Sequence, residues 1–297
     1  MSGGLDVSVC IATWNQRELL ASCLASLAAS TGPIAHEVIV IDNASADGTA
    51  AMVRERFPGV QLIESPTNEG YASANDRGIA VARGRHVLVL NNDVTVAPDT
   101  LAQMVAYLDE HPRVGAAICA LTATPDGAPQ PCTSRYFPTA RRVLFENLLM
   151  FTGLEAFFRR TAWTDRVLGY PADLTREHRV EQISGAFLFV RRAAIDQVGP
   201  MDPGYFLYLE ETDWCYRLRR AGWEIAYTPR TRAVHLGSRS TRLLPDRAAI
   251  YRRSMERYLG KHHGPLSVAA YRLQVWLVER PLTPLFQLAR RLVGRAG

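Results

Sequence analysis

Long apolar runs are missing from this 297-residue chain. No stretch is apolar for long enough to span a bilayer. Met1 to Asp6 carry no basic segment leading into an apolar run of the signal type. Cysteine is scarce: Cys10, Cys23, Cys119, Cys132 and Cys215 are scattered and odd in number. No Cys-x-x-Cys pair occurs, so neither a zinc site nor a disulfide framework is indicated, and reduced thiols in a cytosolic compartment are expected. Internal repeats and low-complexity tracts are absent. Lys and Arg are dispersed and accompany no nucleic-acid motif, which argues against a nucleic-acid binder. What is present is an ordinary hydrophobic content of 47%, enough for a sizeable core, and a net charge of +5 that suits an anionic partner.

Strand and helix patterns alternate up to about residue 120. Val7–Ala12 reads as a strand, Arg17–Ala29 as a helix stopped by Gly32-Pro33, and Glu37–Ile41 as a second strand. Ser45–Thr49 opens a helix closed by Phe57-Pro58-Gly59, and Val60–Ile63 is a short strand. A small-residue helix over 71–82, a strand over 87–90, a helix over 98–111 and a strand over 114–120 follow. This order predicts an open α/β sheet with right-handed crossovers. Residues 122–138 read as a loop or short hairpin, 141–160 as a helix with exposed Phe145, Phe157 and Phe158, and 163–179 as a loop. Ile183–Val190 is expected as one strand, a helix runs through Trp214 to Ala221, and Trp223–Tyr227 is a strand with His235 in the loop after it. From about Leu243 the chain is helical, basic and aromatic, broken at Lys261–Pro265. That segment suits either an amphipathic contact with an anionic membrane or a helix pair packed on the sheet.

Polar residues close three of the strands: Thr13 and Asn15, then Asp42 and Asn43, then Asn91-Asn92-Asp93. Carboxyl ends of neighbouring parallel strands share one edge, so these clusters converge on one cleft. A carboxylate at the end of Val87–Leu90 suits a hard divalent cation, which in turn suits a diphosphate. A polar loop after a core strand would read the same way on this stretch alone.

The ordered blocks decide between the two. They are Ser8–Asn15, Val38–Thr49 with its Asp42-Asn43-Ala44-Ser45-Ala46-Asp47-Gly48-Thr49, Asn68-Glu69-Gly70-Tyr71, Asn91-Asn92-Asp93, Ser184-Gly185-Ala186, and Tyr208-Leu209-Glu210-Glu211-Thr212-Asp213-Trp214 with Arg217. From about Val7 to Ser240 the chain resembles the inverting family 2 glycosyltransferases, and within them the bacterial rhamnosyl- and galactofuranosyltransferases. The resemblance implies a GT-A fold, a Rossmann-like mixed sheet flanked by helices over 1–240, with a helical extension over 241–297. It implies a nucleotide-sugar donor held by Thr13, Asn15, Arg17, Asp42, Asn43, Asn68, Gly70, Asn75, Asn91, Asn92 and Asp93. Asn68 and Gly70 precede a helix whose N-terminus can face an anion, and Arg77 either joins the diphosphate or faces solvent. Asn91 stands where the family often has the first Asp of Asp-x-Asp, leaving Asp93 as the main carboxylate for Mn²⁺ or Mg²⁺, with His235 as the late histidine ligand. Glu211, where the family usually has Asp, is implied as the base, with Asp213 its rival. Gly185, Ala186 and Glu210 would meet the acceptor. Adjacent carboxylates raise one pKa of the pair, while the same acidic first turn also suits a helix dipole.

The implied activity is transfer of a sugar, rhamnose from dTDP-rhamnose first and a UDP-sugar such as galactofuranose next. The acceptor would be a surface glycan or lipid-linked hydroxyl, at the cytoplasmic face of the membrane. A nucleotidyltransferase would use the same sheet, but no Gly-rich basic loop lies near the N-terminus. A non-catalytic sugar-nucleotide binder is the other rival, suggested by Asn91 and by Glu in place of Asp.

Overall fold

A computed structural model of the chain describes residues 4–130, 134–152, 173–237, 244 and 246–279. Strands β1 (Val7–Thr13), β2 (His36–Asp42), β3 (Gln61–Glu64) and β4 (His86–Leu90) alternate with helices α1 (Arg17–Ala28), α2 (Thr49–Arg56) and α3 (Tyr71–Val81). They form the parallel half of a sheet in the order β3-β2-β1-β4. β1 and β4 are wholly apolar but for a few polar positions and are buried on both faces, as a helix-covered parallel sheet requires.

Beyond β4 the sheet becomes mixed. The next elements are β5 (Val94–Val96), α4 (Thr100–Glu110), β6 (Val114–Thr122), β7 (Ser134–Arg135), α5 (Ala140–Thr152), β8 (His178–Val180), β9 (Gln182–Ile183), β10 (Phe187–Arg191), α6 (Arg192–Val198), α7 (Glu210–Arg220) and β11 (Glu224–His235). β10 inserts antiparallel between β4 and β6, β11 runs parallel to β6, and β5 closes the edge antiparallel to β11.

Two expectations need correction. The single strand over 183–190 is broken at Ser184-Gly185-Ala186, where the Ala186 amide turns back to the Ser184 hydroxyl at 3.2 Å. His235 is not in a loop: β11 continues to it through two register shifts, the second spanning Pro229, which has no N–H for the ladder. The short helix α6 and strand β5 carry too few residues to show a period in the sequence. Phe157, Phe158 and most of the 163–179 loop lie outside the described residues; Phe145 is half-buried.

The C-terminal helices α8 (Arg247–His263) and α9 (Pro265–Gln274) do not lie on a sheet face. They share a second core with α5 and the segment before α7, built on Val143, Tyr205, Leu209, Met255, Tyr258 and Tyr271. Packing therefore joins residues from both sides of position 240. Among the described residues no helix is long and apolar enough to cross a membrane.

Candidate active site

The carboxyl ends of β1 and β4, the 68–71 loop, the 184–186 turn and the start of α7 enclose a cleft of about 230 Å³. Thr13, Asn43, Asn68, Gly70, Asn91, Asn92, Asp93, Gly185, Ala186, Glu210, Glu211 and His235 all line it. The topology explains how residues so far apart meet. Thr13 and Asp42 are register partners at the ends of β1 and β2. The Asn91 amide donates to the Ala186 carbonyl at 3.0 Å, beside the β4–β10 pair. His235 pairs with Val94 across β11 and β5, which brings it next to Asp93.

Side chains at the strand ends lock the floor. The Asn92 amide donates to the Thr13 hydroxyl at 2.8 Å. Asn43 donates to Asn68 Oδ1 at 2.8 Å and to the Gly70 carbonyl at 3.2 Å, and accepts from the Glu69 amide at 3.0 Å. Gly70 has φ +88° and presses on Phe206; a Cβ there would stand 2.3 Å from the Phe206 carbonyl oxygen. Only glycine combines that φ with that approach.

Five implied residues do not line the cleft. Asn15, at φ +51°, accepts from the Ala46 amide at 2.7 Å and so ties the first loop to the second. The Arg17 amide donates to Asp47, and its guanidinium pairs with Glu18 in solvent. Asp42 is buried and accepts from the Ser45 amide at 2.9 Å. The Asn75 amide donates to the Tyr71 carbonyl at 2.9 Å. Asp213 is wholly buried, 2.7–2.8 Å from Arg217, Lys261 and His262. Arg77 pairs with Glu69 at 2.7 Å.

The acidic wall is electrostatically strained. Glu210 and Glu211 open α7 directly after Tyr208 (φ +70°) and Leu209 (φ +68°). Two consecutive left-handed residues that are not glycine cost on the order of 1–3 kcal/mol each and are typical of functional sites. Burial, then the neighbouring Glu211 charge, pushes Glu210 well above the usual carboxylate range. Burial also raises Glu211, opposed by the charge of Arg135. The Tyr71 hydroxyl donates to the Gly185 carbonyl at 2.9 Å and is raised by burial and by both glutamates. Asp213 is instead lowered to about 2, its hydrogen bonds to His262, Lys261 and Arg217 outweighing burial.

Among the described residues no three His, Cys, Asp or Glu side chains form a metal-holding group. Asp93 and His235 make a pair: His235 Nε2 is buried, has no hydrogen bond, and lies 3.5 Å from Asp93 Oδ1. An imidazole nitrogen left without a hydrogen bond beside a carboxylate is a fitting two-donor seat for a divalent cation whose remaining ligands come from a diphosphate.

Trp14, Ser184, Phe206, Leu207 and Leu244 also line the cleft and were not singled out in the sequence. Ser184 and Trp14 lie inside the blocks Ser184-Gly185-Ala186 and Ser8–Asn15, though neither was given a role there. Phe206, Leu207 and Leu244 carry no signal beyond hydrophobicity.

An α/β cleft with a carboxylate pair at a helix start and a third carboxylate in the turn after a central strand is the arrangement of a nucleotide-sugar transferase. The chain belongs to glycosyl transferase family 2, whose model matches residues 8–165. It is 32% identical over 253 residues to the N-acetylglucosaminyl-diphospho-decaprenol L-rhamnosyltransferase of Mycobacterium tuberculosis, covering 81% of this chain and 79% of that one. It is 22% identical over 234 residues to the rhamnosyltransferase WbbL of Escherichia coli, covering 76% and 83%. Among solved structures it resembles the mannosyltransferase PcManGT of Pyrobaculum calidifontis in complex with GDP-Man and Mn²⁺, with TM-score 0.58 and 20% identity over 100% of this chain and 77% of that one. It also resembles S. aureus TarS 1–349 in complex with UDP-GlcNAc, with TM-score 0.57 and 16% identity over 93% of this chain and 74% of that one. The fold is GT-A, and the protein is a glycosyltransferase resembling rhamnosyltransferases.

Proposed function

We propose that the enzyme is a metal-dependent, inverting rhamnosyltransferase that uses dTDP-rhamnose and a lipid-linked or growing glycan hydroxyl. One observation carries the reading. The described walls of the cleft hold three carboxylates, Asp93, Glu210 and Glu211, and no Lys or Arg. A nucleoside diphosphate entering such a cleft needs a cation to offset its own charge. Asp93 and His235 would hold Mn²⁺ or Mg²⁺, and the ion, when bound, neutralises the departing diphosphate. The two rhamnosyltransferase relatives support rhamnose over another sugar.

Asn43, Asn68 and Gly70 would shape the donor loop, with Thr13, Asn91 and Asn92 at the floor. Glu211 Oε takes the proton of the acceptor hydroxyl as its oxygen bonds to the anomeric carbon. The bond from that carbon to the diphosphate breaks on the opposite side, dTDP leaves, and the configuration inverts. Burial raises both carboxyls of the pair, and a raised pKa makes Glu211 a stronger base than an exposed carboxylate. The 184–186 turn faces this base: a Cβ at Gly185 would lie 3.5 Å from Glu211 Cβ.

Work at a cytoplasmic membrane face is part of the proposal. Ten Lys and Arg but only two acidic residues lie between Arg247 and Gly297, against +5 for the whole chain. Within the described part of this segment Leu266 is 85% and Trp276 63% exposed. Basic charge with exposed Leu and Trp suits an anionic bilayer surface.

The test is Glu211→Gln assayed with dTDP-rhamnose, UDP-galactofuranose, UDP-glucose and UDP-N-acetylglucosamine, each with Mn²⁺, Mg²⁺ or EDTA. The wild type should bind and slowly hydrolyse dTDP-rhamnose only with metal. The variant should bind it within twofold and lose at least 100-fold in rate. Surviving turnover removes Glu211 from the base role; binding of no donor by a folded protein removes the donor site.

A further inference from the structure

The carboxylate pair at the head of α7 sits on a strained turn with no cap of its own. Tyr208 and Leu209 are both left-handed, and no Leu209 side-chain hydrogen bond caps the helix. Something outside the turn must over-determine it. Contacts come from α8, which follows α7 and β11 in the chain. Ser254, Arg257, Tyr258, Lys261 and His262 recur at the spacing of one helix face, and each meets the segment from Asp202 to Arg217.

The Ser254 hydroxyl donates to the Leu207 carbonyl at 2.8 Å. Arg257 and Lys261 pair with Asp202 at 2.7 and 2.8 Å. Lys261 Nζ and His262 Nε2 each lie 2.7 Å from Asp213 Oδ1, while Arg217 donates to Oδ2 at 2.8 Å. Arg217 also donates to the Val198 and Pro200 carbonyls at 2.7 Å, which fastens the loop before the turn. The His262 ring lies against Tyr216 of α7, centroids 4.2 Å apart. Asp213 is thus one pin through which three cationic or donor groups, two of them from α8, fix the first turn of α7.

We infer that Lys261 and His262 are positioning residues for the transfer reaction, acting through Asp213 to hold the Glu211 carboxylate on the cleft wall. The inference rests on Glu211 being the base. It assigns the C-terminal helix to the chemistry, whatever its part in membrane contact. Asp213 serves as the anchor of the base and is not its rival.

The experiment uses the full chain with dTDP-rhamnose and Mn²⁺. His262→Ala and Lys261→Met should each lower kcat for donor hydrolysis at least tenfold, with donor KM and the Kd for dTDP within twofold. His262→Gln, whose amide can still donate to Asp213, should recover most of the rate. In a Glu211→Gln background His262→Ala should add no further loss, because a positioning residue has nothing left to position. Amide exchange over 208–213 should quicken in His262→Ala while that of β1 and β4 stays unchanged. Unchanged exchange over 208–213, or quickening throughout the chain, overturns the inference whatever the donor proves to be. So does a lowered melting temperature with kcat intact, or a His262→Ala loss that adds in full to that of Glu211→Gln. Full activity of Glu211→Gln alone overturns the base assignment instead, so the two failures are told apart.

Discussion

His86 allows a prediction whose size follows from its surroundings. It opens β4, is 1% exposed, and is flanked by Val7 of β1 and Arg191 of β10. Neither ring nitrogen makes a hydrogen bond, and the carboxylate of Asp109 stays 3.7 Å from Nε2. Burial first, then the charges of Arg85 and Arg191, pushes the imidazole down to about 4 from an ordinary 6.5. The folded ring therefore stays neutral over a range in which the unfolded chain takes up a proton. Its contribution to stability is intact above about pH 6.5 and is lost as pH falls towards 4. Linkage at 1.36 kcal/mol per unit gives a loss of about 2 kcal/mol between pH 7 and pH 5, and roughly 3 in total. His86→Leu keeps the apolar contact with Phe189, 5.6 Å from ring to ring in the wild type, and removes the titration. Urea unfolding of both proteins at pH 7 and pH 5 measures the difference. The variant should gain about 2 kcal/mol on the wild type over that interval. The comparison matters because Asp76 is raised to about 7 by burial and contributes in the opposite direction, losing stability as pH rises. The wild-type curve alone would be flattened by the two. Parallel pH dependences of wild type and His86→Leu would refute the reasoning.

Other substitutions probe the cleft. Gly70→Ala places a Cβ against the Phe206 carbonyl at φ +88°; it should lose at least about 2 kcal/mol of stability by thermal melt, and dTDP binding with it. Gly185→Ala meets only ordinary contacts at 3.5 Å or more. Its stability should stay within about 0.5 kcal/mol of wild type, while transfer to an acceptor falls because the methyl stands in front of Glu211. His235→Ala should leave donor affinity in EDTA unchanged and abolish the gain that Mn²⁺ gives the wild type, as titration calorimetry can show.

The first half of the sheet was legible because β1 and β4 are apolar strands buried on both faces and Gly or Pro marks the turns between strand and helix, so the two periods alternate without interruption. Boundaries fell within two residues at β1, α1, α3 and β4. The second half depends on partners the local sequence does not name. The run 183–190 reads as one apolar strand, yet Gly185 faces Glu211 and the chain must turn to let it. The end of β11 lies between β6, parallel to it, and β5, antiparallel to it, with Ala233 and Val234 paired to both. Only that long-range arrangement turns an isolated His235 into a neighbour of Asp93.

The same distinction separates the site's residues. Most polar residues that touch the cleft came in short ordered blocks, because a strand end and the loop after it bind together; His235 is the exception. Asp213 shows the limit of such reading. Four residues before Arg217, it invited an ion pair and, within an acidic cluster, a role as base. Both cannot hold for one carboxylate. A base must meet solvent or substrate, whereas Asp213 is wholly buried and saturated by Arg217, Lys261 and His262. Depression to about 2 makes it a poor proton acceptor at neutral pH. The deciding groups lie 48 and 49 positions away on a helix that composition alone assigned either to a membrane or to the back of the sheet. A buried charge is kept only where its partners are fixed, so α8 must be docked whenever Asp213 is ionised. The geometry of the carboxylate pair is therefore a property of the folded C-terminal helix as much as of the motif that carries the pair.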